Sequence, residues 1–205
     1  MIKKTTSQMR KTKVIYAPQP DEPQVSAAYE YAKRISDLLG GVPGDGPTSI
    51  SSSSAETDGD GEANAIVVER LSLESLNFLT SPEENCTQCV FIISCSADGS
   101  VDRMVRKIVR NLRNSTDNAA SENKPKVAIA LLGHARCENS ANQMKDTIFG
   151  NGRKFLKAVV GLLNVAASDN SKDGLSSVES LEVQVELEGP DSPGGFDEWI
   201  KRIVQ

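Results

Sequence analysis

At 205 residues the chain is sized for one domain with insertions, and it can bury a core without disulfides or a metal. Charged residues make up 25% and hydrophobic ones 38%, as in a globular protein with polar loops; no apolar run nears the ~20 residues that span a bilayer. A net charge of −5 argues against a nucleic-acid or anionic-membrane partner, so neither is expected.

The opening stretch is polar and basic, with Lys3, Lys4, Arg10 and Lys11, and has no apolar centre. Residues 1–12 are therefore expected to be a flexible tail rather than a signal peptide, and 13–205 a single domain. Without a signal peptide, a cytoplasmic setting is expected, with Cys86, Cys89, Cys95 and Cys137 as reduced thiols.

Lys13–Ala17 is short, β-branched and apolar, and reads as a buried strand ending at Pro18. Helical spacing of Val25, Ala28, Tyr29, Ala32, Ile35 and Leu38 predicts a helix over Gln24–Leu39, stopped by Gly40 and Gly41. Residues 42–64 are Gly-, Ser- and Asp-rich and read as a flexible insertion, as do 114–126 and 168–178. Ala65–Glu69 is a second strand, and Leu71, Leu73, Leu76 and Leu79 suggest a short helix after it. Cys89–Cys95, apolar on both faces, suits a central parallel strand. Val101–Leu112 is an amphipathic helix with Arg103, Arg106, Lys107 and Arg110 on its polar side. Val127–Leu132 is a fourth strand, and Gln143–Leu163 a helix that Gly150-Asn151-Gly152 could break. Leu181–Leu187 alternates as a strand, and Phe196–Val204 closes as a helix with Phe196, Trp199, Ile200 and Ile203 inward.

Strand and helix alternate five times, which implies an α/β fold: a parallel sheet covered by helices on both faces. Ligands of such sheets sit at the carboxyl ends of the strands, where the strand order reverses.

Several local stretches carry a family resemblance. Lys13–Ala17 with its loop and helix resembles the strand, phosphate loop and first helix of FMN modules. Val90–Gly99 looks like a third strand with the loop that flanks the flavin. Ala130–Gly133 followed by Cys137–Ala141 resembles the fourth-strand pattern. Glu188-Gly189-Pro190-Asp191 and Phe196–Trp199 are similar to the acidic turn and final helix of diflavin reductases and of the FMN-type domain of wybutosine-synthesis proteins. From residue 13 on, the chain thus resembles the flavodoxin-like family. That resemblance implies a three-layer sandwich around a five-stranded parallel sheet, and an FMN-binding electron-transfer role beside a reductase-type domain.

The first loop departs from the family pattern. A flavodoxin-like loop wraps the FMN phosphate with hydroxyls and backbone N–H groups at a helix start. Here it reads Pro18-Gln19-Pro20-Asp21-Glu22-Pro23. Prolines carry no N–H, and Asp21 and Glu22 bring negative charge where a phosphate would sit. Ser96, Ala97, Asp98 and Gly99 on the third-strand loop, and His134, Cys137, Glu138 and Asn139 after the fourth strand, complete the vestigial FMN site. Neither loop holds a Phe, Tyr or Trp to stack on a flavin ring. The expectation is a domain without a cofactor, serving as an interaction or structural module with a protein partner or an adjoining reductase-type domain. FMN binding stands as the alternative.

Two further constellations carry chemistry. Cys86-Thr87-Gln88-Cys89 has CxxC spacing, but Cys95 lies ~20 Å further along the strand, so one four-thiolate metal site is not expected. Cys95 and Cys137 near His134, the only histidine, could form a thiol-based catalytic site; no oxyanion signature accompanies them.

Overall fold

The most apolar stretch of the chain lies at the centre of its sheet. In the computed structural model, which describes residues 11–20, 26–39, 65–76, 86–114, 125–134, 141–164, 178–185 and 195–204, five strands form one sheet. They are β1 (Lys11–Ala17), β2 (Ala65–Arg70), β3 (Cys86–Cys95), β4 (Lys126–Gly133) and β5 (Glu179–Gln184). All pairings are parallel and the order is β2-β1-β3-β4-β5. The central strand, β3, is covered on both faces, which explains why it does not alternate in polarity.

Four helices supply the outer layers: α1 (Ala27–Leu38), α2 (Arg103–Asn114), α3 (Ala141–Asn164) and α4 (Phe196–Val204). On one face Phe91, Ile93, Ile129 and Leu131 meet Val105 and Ile108 of α2 and Phe149, Phe155 and Val159 of α3. On the other, Val14, Val90, Ile92, Ala130 and Leu132 meet Ala28, Tyr31 and Ile35 of α1 and Phe196, Trp199 and Ile200 of α4. The result is a three-layer α/β sandwich, in a strand order compatible with a flavodoxin-like fold.

Local chemistry sets the helix ends. Ser26 caps α1, its hydroxyl accepting from the Tyr29 N–H at 3.1 Å, and Asp102 Oδ1 accepts from the Met104 N–H at the start of α2. Helix α4 carries Asp197 and Glu198 in its first turn and Lys201 and Arg202 in its last, matching the helix dipole. One two-pronged arginine pair ties each face. Arg34 bonds Asp197 through Nε and Nη2 at 2.9 and 2.6 Å, joining α1 to α4. Arg153 bonds Glu182 at 2.6 and 2.8 Å, joining α3 to the edge strand β5.

Five features differ from the sequence pattern. β1 starts two residues earlier, at Lys11, and β3 starts at Cys86, so the CxxC lies inside a strand. Only a 3-10 turn, Glu74–Leu76, follows β2 among the described residues, held by reciprocal bonds between Ser72 and Ser75; Leu79 lies outside them. Helix α3 runs unbroken through Gly150-Asn151-Gly152, because Gly152 is where the helix touches the sheet. β5 sits earlier than the alternating pattern suggests, and Val185 already turns away while its N–H still reaches the Gly133 carbonyl at 2.9 Å. Among the described residues no helix is long and apolar enough to cross a membrane.

Candidate functional site at the strand carboxyl ends

The strand order reverses between β1 and β3. Their carboxyl ends, with that of β4, bring together three loops read from the sequence. Pro18, Gln19 and Pro20 leave β1, Ser96–Gly99 leave β3, and His134 leaves β4. Asp21, Glu22, Pro23, Cys137, Glu138 and Asn139 lie outside the described residues.

The first two loops meet directly: Ser96 Oγ donates to Gln19 Oε1 at 3.4 Å. Pro18 and Pro20 leave Gln19 as the only backbone donor of that described tripeptide. The β3 loop is a tight turn that uses its own donors. The Ser96 N–H goes to the Ser100 carbonyl at 2.9 Å, and the Gly99 N–H to the Ser96 carbonyl at 2.8 Å. The Ser100 N–H goes to Asp98 Oδ1 at 2.9 Å. An antiparallel bridge between Cys95 and Val101 closes the base of the turn. The Ser100 backbone N–H, then its hydroxyl, hold the exposed Asp98 carboxyl below the usual carboxylate range. It is therefore an anion at neutral pH.

Helix α3 fixes this turn from below. Gly99 has φ +77°, and a Cβ there would run into the Thr147 carbonyl. Asn151 Nδ2 donates to the Gly99 carbonyl at 2.7 Å. Neither Thr147 nor Asn151 stands out in the sequence; the glycines flanking Asn151 are the available signal, and by propensity they mark only a point where the helix could break.

Cys95 and His134 are neighbours through the backbone, the His134 N–H donating to the Cys95 carbonyl at 3.0 Å. The Cys95 side chain, however, is buried against α3, where a Cβ on Gly152 would come within 2.9 Å of its sulfur. Burial pushes the thiol up to about 12, despite an opposing hydrogen bond from the Gly152 backbone. Burial thus disfavours its thiolate, the reactive form, at neutral pH.

Ser94 escaped notice inside its apolar run. It alternates with Val90 and Ile92 toward α1 and α4, is wholly buried, and its hydroxyl has no hydrogen-bond partner among the described residues. Near the end of β1, Tyr16 packs edge-on against Tyr29 with ring centroids 5.4 Å apart, so these two aromatics are engaged with each other. Among the described residues no group of three or more His, Cys, Asp or Glu is placed to hold a metal ion.

No family model matches the chain, and no curated protein matches it. A functional reading rests on the strand order and on what the three loops present.

Proposed function

We propose that this is a flavodoxin-like domain that has lost FMN binding and works as an interaction or structural module of a reductase-like protein. The observation that carries this reading is the state of the donors at the switch point. Where a phosphate needs free N–H groups, β1 is followed by Pro18 and Pro20, and the Ser96, Gly99 and Ser100 amides are used within their own turn. Asp98 adds a carboxylate to the same edge. Each missing bond to a charged group removes ~1.5–3 kcal/mol, so a few remove much of the ~12 kcal/mol of a nanomolar complex. The described groups do not fit the FMN phosphate.

The partner in this reading is a protein or an adjoining reductase-type domain, met in the cytoplasm. Helix α2 supports the interaction role: Arg103, Arg106, Lys107 and Arg110 are all exposed along it, a cationic face on a chain of net charge −5.

One observation favours a second reading, an FMN-binding electron-transfer domain like those of diflavin reductases or wybutosine-synthesis proteins. The Ser94 hydroxyl, buried near the switch point, is a polar group that a ligand could satisfy. An absorbance spectrum of the purified protein, then titration of FMN fluorescence with protein, separates the two. The first reading expects no flavin bands and no quenching at high micromolar protein. Stoichiometric flavin in the purified protein, or saturable quenching, would overturn it.

A further inference from the structure

Cys86 and Cys89 are three residues apart, a spacing that in a regular strand turns two side chains to opposite faces. The register between β1 and β3 changes that outcome. Lys11 pairs with Cys86, Thr12 with Gln88 and Lys13 with Cys89, so Thr87 is the extra residue of a β-bulge.

Two geometric consequences follow. The bulge puts both cysteines on one face: both belong to the core beneath α2 and α3. Gln88 points the other way, its Nε2 donating to the Ile203 carbonyl of α4 at 2.7 Å. The bulge also shortens the step between them. Cys86 and Cys89 span the two-residue interval from Lys11 to Lys13, about 6.6 Å rather than about 10 Å. That interval falls within the Cα separations a disulfide bridges, roughly 4.4–6.8 Å. The Cys86 sulfur already leans toward its neighbour, 3.6 Å from the Gln88 carbonyl oxygen, in the peptide group that joins Gln88 to Cys89. Both thiols lie at the amino-terminal half of β3, away from the loops of the candidate site.

We propose that Cys86 and Cys89 form a reversible dithiol–disulfide site whose oxidant is an external disulfide. Cys86 keeps 7% of its surface exposed and Cys89 none, so Cys86 reacts first. Its thiolate attacks one sulfur of the oxidant, expels one thiolate and leaves a mixed disulfide on Cys86. Cys89 then gives its proton to water, and its sulfur attacks the Cys86 sulfur and expels the second thiolate. The pair loses two electrons and two protons, and the oxidant becomes two thiols. Burial, reinforced by Cys86 and Glu69, raises the Cys89 thiol well above its ordinary value. The closing step is therefore slow at neutral pH and quickens about tenfold per pH unit.

The test is incubation of the folded protein with oxidised glutathione at mildly alkaline pH, followed by intact mass and peptide mapping. The expected product is lighter by the mass of two hydrogen atoms, with Cys86 linked to Cys89. Thiols titrated after denaturation fall from four to two and return with dithiothreitol. Cys89→Ser is expected to stop at the glutathione adduct, and a Cys95→Ser, Cys137→Ser variant to oxidise as the wild type does. A glutathione adduct that persists on the wild type, a bridge to Cys95 or Cys137, or no change in mass would overturn the proposal. Should the variants fail to fold, the wild-type peptide map decides alone.

Discussion

Asn151 donates its side-chain amide to the Gly99 carbonyl at 2.7 Å, joining the middle of α3 to the turn after β3. The same turn approaches the Thr147 carbonyl so closely that Gly99, at φ +77°, has no room for a side chain. The shape of the β3 loop thus depends on a helix that begins some forty residues later, at Ala141.

Gly99→Ala is therefore expected to destabilise the protein by about 2–4 kcal/mol, combining left-handed backbone strain with a steric clash. Asn151→Ala loses one hydrogen bond and should cost about 1 kcal/mol. Urea denaturation of the two variants measures both. If Gly99→Ala proved neutral, the turn would not be clamped against α3.

The two glycines beside Asn151 should respond in opposite directions. A Cβ on Gly152 would meet the Cys95 sulfur at 2.9 Å and Leu131 methyls at 3.1 and 3.2 Å, all inside the core. Gly152→Ala is expected to cost about 1–3 kcal/mol by overpacking. Around Gly150 nothing lies within 4 Å, so Gly150→Ala should stabilise α3 by about 0.5–1 kcal/mol through helix propensity alone. Thermal melts of the pair give the contrast directly.

How much of this was legible in the sequence follows from which signals are local. The strands and the amphipathic helices came through because apolar periodicity reports burial, residue by residue. The scarcity of donors in the first loop is a matter of composition alone, since proline lacks an N–H wherever it sits. What did not come through depends on contacts between distant segments. Gly150 and Gly152 weaken a helix by local propensity, and only the contact of Gly152 with Cys95 and Leu131 explains why a glycine stands there. CxxC spacing places Cys86 and Cys89 at the start of a strand, and only the pairing with Lys11 and Lys13 shows the bulge. Ser94 was hidden because one polar residue in an apolar run leaves the periodicity unchanged.

Cys95 gives the stability a pH dependence whose sign can be worked out. Its thiol is pushed up to about 12 in the folded protein from an ordinary value of 9.0. Below pH 9 both states hold the proton, and the contribution is intact. Above it the unfolded chain releases the proton while the folded one keeps it, so stability falls until the folded value is reached. The slope approaches about 1.4 kcal/mol per pH unit. Denaturant midpoints of wild type and Cys95→Ala between pH 8 and 10.5, a range set by roughly the ordinary thiol value, should diverge in slope, with the wild type steeper. Parallel slopes would show that the thiol titrates alike in both states.

Ser94→Ala probes the candidate site without touching its loops. A buried hydroxyl that lacks a partner carries a desolvation penalty, so removing it should be neutral or stabilising by up to about 1 kcal/mol. The opposite sign follows if a bound water or ligand completes the group, because the substitution then removes a real hydrogen bond worth about 0.5–1.5 kcal/mol. The wild-type hydroxyl is buried on the α1/α4 face near the end of β3, and alanine fills nearly the same volume there, so packing changes little. Chemical denaturation of the variant, with and without added FMN, therefore bears on both functional readings. Equal stability gains in both conditions support a site that holds no flavin. A wild type that FMN stabilises, beside a variant it does not, would instead assign the Ser94 hydroxyl to ligand binding.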